Sequence, residues 1–134
     1  MSSVLVDSNV LLDIITDDPT WLEWSSAALD EAASRGRVAI NPIIFAEVSI
    51  RYSDISELDN VLSRQVLDRE PLPYEAAFLA GKILAQYRRR GGKRNAPLPD
   101  FFIGAHAAVA GYTLLTRNAR HYRRNFPKLK LIAP

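Results

Sequence analysis

Short apolar runs alternate with longer stretches of helical spacing along this chain. Val4-Leu5-Val6 is an apolar run of three that ends in a carboxylate, Asp7. It reads as a short buried strand of β-formers. Asn9 is placed to cap a helix carrying Val10, Leu11, Ile14 and Ile15. Asp17-Asp18-Pro19 breaks that helix and opens another, in which Trp21, Trp24, Ala28, Leu29 and Ala32 recur at helical spacing. Gly36 ends it, glycine being favoured at such a position because it accepts positive φ. Val38-Ala39-Ile40 is the second strand. Asn41-Pro42 closes that strand and opens a helix holding Ile43, Ile44, Glu47, Val48 and Arg51.

The second half repeats the alternation. Ile55 to Gln65 has helical character, and residues 66–72 are ambiguous between loop and a short edge strand, where Pro71 is tolerated. Pro73 to Arg90 is the clearest helix, with Ala76, Ala77, Leu79, Ala80, Ile83, Leu84 and Tyr87 as its apolar stripe. A basic, glycine-rich loop follows at 91–97. Leu98-Pro99-Asp100 starts another helix, buried along Ile103, Ala107 and Ala110 and ended by Gly111. Tyr112 to Thr116 reads as a strand, Arg117 to Arg124 as a short helix, and Leu129 to Ile132 as a last strand. Strands that alternate with helices predict an α/β fold, a parallel sheet with helices on both faces. No repeat or linker divides residues 1–134, so one domain is expected.

Composition narrows the chemistry. The chain has no cysteine, which excludes disulfides, thiolate catalysis and cysteine-ligated zinc. Two histidines are too few for a multi-histidine metal site. Any metal must rely on oxygen ligands, which favours Mg²⁺ or Mn²⁺. No apolar run approaches the ~20 residues of a membrane span. Asp7 and Asp13 interrupt the apolar region that a signal peptide would need, so a cytoplasmic protein without membrane attachment is expected. The net charge of +2 conceals an asymmetry. From Lys82 to Lys130 there are four Lys and eight Arg against one acid, Asp100, while the remainder of the chain is net acidic. A basic sector that also carries Tyr87, Phe101, Phe102, Tyr112, Tyr122 and Phe126 suits a polyanionic substrate. A solvated basic helix face is the plain reading of Arg88-Arg89-Arg90 by themselves.

Three carboxylates stand at comparable places. Asp7 ends a buried strand, where an unpaired charge costs several kcal/mol, roughly, before relaxation. It can also serve as an N-cap. Glu47 lies inside a mostly apolar helix, one turn from Arg51, with which an i, i+4 ion pair is an alternative. Asp100 opens an apolar helix, where helix N-terminal stabilisation of about 0.3–1 kcal/mol is the simpler role. That role does not account for a lone acid among twelve basic residues. In a doubly wound sheet the C-terminal strand ends face one crevice. Clustered carboxylates there raise one another's pKa unless a cation neutralises them. Mg²⁺ does so, and such an ion activates water and stabilises the leaving oxygen of a phosphodiester. Thr116-Arg117-Asn118 offers neutral oxygens at a strand end. His106 lies mid-helix among alanines and reads as structural, whereas His121 is a candidate for substrate contact. Asp13 has two readings, a support behind the metal's ligands and, more simply, a solvated face.

V-L-V-D-S-N-V-L-L-D-I at 4–14, N-P-I-I-F-A-E-V at 41–48, L-P-D-F-F-I-G-A-H-A at 98–107 and L-L-T-R-N at 114–118 occur in the order and spacing of PIN-domain proteins. The sequence resembles the VapC-type toxins of bacterial and archaeal toxin–antitoxin pairs over nearly its whole length. The resemblance implies a PIN fold, a central parallel sheet of four or five strands flanked by helices, and a Mg²⁺- or Mn²⁺-dependent endoribonuclease. The family's acids fall on Asp7, Glu47 and Asp100. The polar position after the strand-end threonine falls on Asn118, where many relatives carry Asp. Where a further acid is common, this chain has His121-Tyr122, which makes a second metal less secure. The resemblance also implies a homodimer and a small cognate antitoxin, VapB-like, that covers the cleft and itself binds DNA. Trp21, Trp24, Phe45 and Tyr52 are candidates for that surface, with the core as the alternative for either Trp.

The expected assignment follows. Asp7, Asp100 and Glu47 hold the metal, and Asn118 completes the site. Asn9, Arg88, Arg89, Arg90, Lys93, Arg94, Thr116, Arg117, Arg120 and His121 contact RNA. Two other readings are a degenerate PIN scaffold that binds RNA without cutting and a receiver-like signalling domain. The receiver reading lacks a well-placed phosphoacceptor, Asp68 being poorly sited, and has no lysine after Ile132.

Overall fold

The computed structural model describes residues 3–93 and 98–134. Strands β1 (Ser3–Val6), β2 (Arg37–Ile40), β3 (Asp68–Arg69), β4 (Thr113–Leu115) and β5 (Leu131–Ile132) form one sheet in the order β3-β2-β1-β4-β5. Every neighbouring pair is parallel. Among the described residues seven helices accompany the sheet: α1 (Ser8–Ile15), α2 (Leu22–Arg35), α3 (Pro42–Ser49), α4 (Ile55–Leu62), α5 (Tyr74–Arg89), α6 (Leu98–Ala110) and α7 (Ala119–Asn125). The expected α/β architecture is present, with five strands.

The strand order explains where a site can form. The chain builds outward from β1 to β2 to β3, then crosses back to lay β4 on the other edge of β1. The direction of winding reverses between β1 and β4, and connections that diverge there leave a crevice at the C-terminal strand ends. Asp7 N–H donates to the Leu115 carbonyl at 2.9 Å and ties the two strand ends together. A receiver domain needs the first strand between the second and third. Here β3 is an edge strand beyond β2, so the receiver-like reading is overturned.

Val4, Leu5 and Val6 are buried, as a central parallel strand covered on both faces requires. Around them lie Ile40, Ile44, Leu114 and Leu115 from neighbouring elements, with Phe101, Ile103, Ala105 and Ala107 along α6. A Cβ on Gly104 would come within 2.4 Å of the Phe126 ring, so the end of α7 closes on α6 only over a glycine.

Of the two cap candidates for α1, the structure selects Asp7 over Asn9: its carboxylate accepts the Ser8 N–H at 2.8 Å, the nearest of the helix's unpaired amides. Several local expectations are corrected. Gly36 caps α2 with extended backbone, φ 176°, so no left-handed turn is needed there. Of the ambiguous stretch 66–72, only Asp68–Arg69 pairs with β2. Asp13 is buried rather than solvated, because Arg117 and Ser25 satisfy its carboxylate. Trp24 packs against the core, while half-buried Trp21 meets it edge-on under the Arg117 guanidinium. Among the described residues no helix is long and apolar enough to cross a membrane.

Candidate metal centre

Each acid is delivered by a different element. Asp7 sits where β1 turns into α1. Glu47 rides on α3, whose start is fixed by Pro42 in its first turn and by Asn41, whose Oδ1 accepts the Ile44 N–H at 2.9 Å. Asp100 lies in the first turn of α6, anchored by the buried Phe101 beside it. Because α3 packs on both α1 and α6, the three side chains converge. One carboxylate oxygen from each lies within 4.8 Å of the others.

Such a cluster resists full ionisation. Burial pushes the Asp7 carboxyl above its ordinary range, against the hydrogen bonds from Thr116, Tyr122 and Ser8 that favour its anion. Burial likewise raises Glu47, helped by the charge of Asp7 and opposed by the Ser8 hydroxyl. Asp100 is pushed up to about 7 by burial and then by the charges of Asp7 and Glu47, opposed by the Tyr122 hydroxyl. An all-oxygen donor set of three mutually repelling carboxylates fits a hard divalent cation such as Mg²⁺ or Mn²⁺, whose +2 charge would offset most of their repulsion.

Asp7 is the most tightly held of the three. Its Oδ2 accepts from Thr116 Oγ1 at 2.8 Å and from the Tyr122 hydroxyl at 3.0 Å, with Asn9 Nδ2 farther off at 3.4 Å. Ser8 Oγ gives its proton to Glu47 Oε1 at 2.7 Å and so links two acids; Glu47 is turned to Ser8 rather than paired with Arg51. Asn9 bridges the strand ends, donating to Thr116 Oγ1 at 3.3 Å and accepting the Arg117 N–H at 3.1 Å. Thr116 is buried, and its hydroxyl also accepts the Asn118 N–H. The Asn118 side chain is exposed beside this turn and makes no cap bond to α7.

The basic residues divide into two groups. Arg88, Arg89, Arg90 and Lys93 are exposed at the end of α5, and Arg120 is exposed on α7. A hollow of about 410 Å³ is lined by Tyr87, Arg90, Gly91, Gly92, Lys93 and Arg124. Tyr87 meets Phe101 edge-on at 5.4 Å, so this hollow adjoins the residue next to Asp100. Arg117, by contrast, is committed inward: its Nε and Nη2 both donate to Asp13, at 2.6 and 2.9 Å. His121 is also turned inward, with Nδ1 near Asn125, a buried Nε2, and the ring edge-on to Phe101. Arg94 lies outside the described residues. His106 is buried, with Nδ1 2.9 Å from Asn41 Nδ2, and burial lowers its pKa.

Ser8 and Tyr122 carry no role legible in the sequence, and Asn41 is legible there only as the residue that opens α3. Ser8 is adjacent to Asp7 and gives no signal by type. Tyr122 is 115 positions from Asp7, and only the register of α7 shows that its side chain turns inward while Arg120, Arg123 and Arg124 turn out.

A parallel sheet that reverses its winding beside three convergent carboxylates defines an α/β protein with an all-oxygen cluster that could hold a metal ion. Residues 4–127 match the PIN domain, and the chain belongs to that family. Solved structures share the fold. VapBC2 from Rickettsia felis, bound to a DNA fragment from its promoter, is similar at 22% identity and TM-score 0.78, covering 98% of both chains. DNA-bound VapBC from Salmonella typhimurium is similar at 22% identity and TM-score 0.72, over 99% of this chain and 98% of that one. FitAcB from Neisseria gonorrhoeae gives 19% identity and TM-score 0.69 over 96% of each chain. No curated protein matches by sequence.

Proposed function

We propose that this chain, acting as a single PIN domain, is a divalent-metal-dependent endoribonuclease and the toxin of a toxin–antitoxin pair. The observation that carries the reading is the convergence of Asp7, Glu47 and Asp100 at the point where the sheet reverses its winding, next to a basic sector. Asp7, Asp100 and Glu47 would hold Mg²⁺ or Mn²⁺. When bound, the ion activates water toward phosphorus and stabilises the departing oxygen. Asn9 and Thr116 orient Asp7, and Asn118 offers an exposed amide at the rim. Arg88, Arg89, Arg90, Lys93 and Arg120 hold the RNA backbone through its phosphates.

The partner is a small VapB-like antitoxin, and DNA is reached only through it. Similarity in fold to VapBC complexes supports this assignment. A homodimer in the cytoplasm completes the reading. Half-buried Phe45 and Tyr52 line a groove with Ile55 and Leu58, rimmed by Ser49, Ser53 and Asp54, that suits a partner segment with an apolar face. A second reading, RNA binding without cleavage, draws on Asn118, which supplies an amide where many relatives place a carboxylate. The test is a mixed cellular RNA pool treated with purified, antitoxin-free protein, with Mg²⁺ and with EDTA. Discrete fragments that require the metal support the nuclease. Intact RNA in every lane from folded protein, with RNA still retained, moves the assignment to the scaffold.

A further inference from the structure

We propose that Tyr122 is a positioning residue of the metal centre: with Thr116 it fills both lone pairs of Asp7 Oδ2 and leaves Oδ1 as the atom offered to the cation. This rests on the metal centre proposed above. A carboxylate oxygen has two lone-pair sites. Those of Oδ2 are taken by Thr116 Oγ1 at 2.8 Å and the Tyr122 hydroxyl at 3.0 Å, with the Asn9 amide a third, longer contact at 3.4 Å. Oδ1 accepts the Ser8 N–H at 2.8 Å and has one site left. The Ser8 hydroxyl does not compete for it, lying 3.5 Å away and only 2.7 Å from Glu47 Oε1.

Both donors on Oδ2 are themselves constrained. Thr116 Oγ1 accepts from Asn118 N–H and Asn9 Nδ2, so its single proton points to Asp7. Tyr122 is wholly buried, its ring set between His121 at 5.0 Å and Phe126 at 6.5 Å. The phenol cannot swing to water, and its proton serves the acid cluster alone: Asp7 Oδ2 at 3.0 Å, with Asp100 as the second carboxylate in its reach. A phenylalanine would fill the same ring space and leave Oδ2 with one strong donor. Such outer hydrogen bonds to ligating groups commonly govern metal affinity by 10–100-fold, roughly.

The test is titration calorimetry of Mn²⁺ into wild type, Tyr122→Phe and Asp7→Asn, with circular dichroism and thermal unfolding of each metal-free protein. Tyr122→Phe is expected to keep the fold and bind Mn²⁺ about 10-fold or more weakly. A hydroxyl that served only packing would change the unfolding temperature and leave Mn²⁺ affinity alone. Wild-type affinity in a folded Tyr122→Phe therefore overturns the inference. Absence of Mn²⁺ uptake by wild type, or unchanged uptake by Asp7→Asn, overturns the metal centre itself, and the two failures are distinguishable. If Tyr122→Phe does not fold, wild type labelled with ¹³Cζ-tyrosine replaces it. The Tyr122 resonance is expected to move on Mg²⁺ addition with the midpoint of binding, and a resonance unmoved at saturation overturns the inference.

Discussion

Asp100 gives the sharpest pH prediction. In the unfolded chain its carboxyl ionises near the ordinary 3.8; in the folded, metal-free protein it holds its proton until about 7. Between these values the folded state binds more protons. Stability therefore falls as pH rises through the window and levels off above it. Each pH unit of separation corresponds to about 1.4 kcal/mol, which sets an upper bound near ~4 kcal/mol. Asp100 is only partly buried, and screening by water reduces this to about 2 kcal/mol. Asp100→Asn removes the charge, so it should stabilise the metal-free protein by about 2 kcal/mol at pH 8 and little at pH 4.5. For a chain of this size that is about 6 °C in melting temperature. His106 and His121, held neutral by burial, act in the opposite sense below pH 6.5. The comparison is therefore variant against wild type at each pH, in EDTA, which cancels both imidazoles. Added Mg²⁺ should stabilise wild type more at pH 8 than at pH 4.5. An Asp100→Asn protein no more stable than wild type at pH 8 would refute the electrostatic reasoning.

Two further predictions concern residues around the centre. Arg117→Ala leaves the Asp13 carboxylate buried and unpaired, and urea unfolding at pH 7 should show a loss of about 3 kcal/mol; a loss under 1 kcal/mol would mean that water reaches Asp13. Replacing Arg88 and Arg89 with Ser should leave Mn²⁺ affinity and the melting temperature unchanged. It should weaken RNA binding and flatten its dependence on salt, by up to about 0.7 in logarithmic slope per lost phosphate contact. An unchanged slope would place the RNA elsewhere.

Much of the scaffold was legible because parallel strands buried on both faces must be apolar throughout. Val4–Val6 and Val38–Ile40 announce themselves, and each is followed at once by a cap residue. The carboxylates at Asp7, Glu47 and Asp100 could be read because each breaks an apolar pattern. Asp13 is the harder case, with a solvated face the simpler of its two readings. On helical spacing it sits among polar neighbours, and its burial depends on Arg117, 104 positions away. Asp7 and Asn9 are both cap types, and the sequence does not choose between them; the strand-end carboxylate is the one that reaches the first free amide. The same long-range logic hid Tyr122 and Ser8, whose importance lies in which oxygen they face, a property that no local periodicity encodes. The basic sector was visible as composition. Its split into exposed arginines and the inward-turned Arg117 and His121 was not, because charge alone does not say which side of a turn a side chain takes.

The most direct test of the central claim is a crystal of the metal-free protein soaked in Mn²⁺, with anomalous scattering collected at the manganese edge. One strong peak enclosed by Asp7, Glu47 and Asp100 is expected, and it should be lost in Asp7→Asn crystals. No peak there at saturating Mn²⁺, or a peak at another cluster of side chains, would contradict the claim.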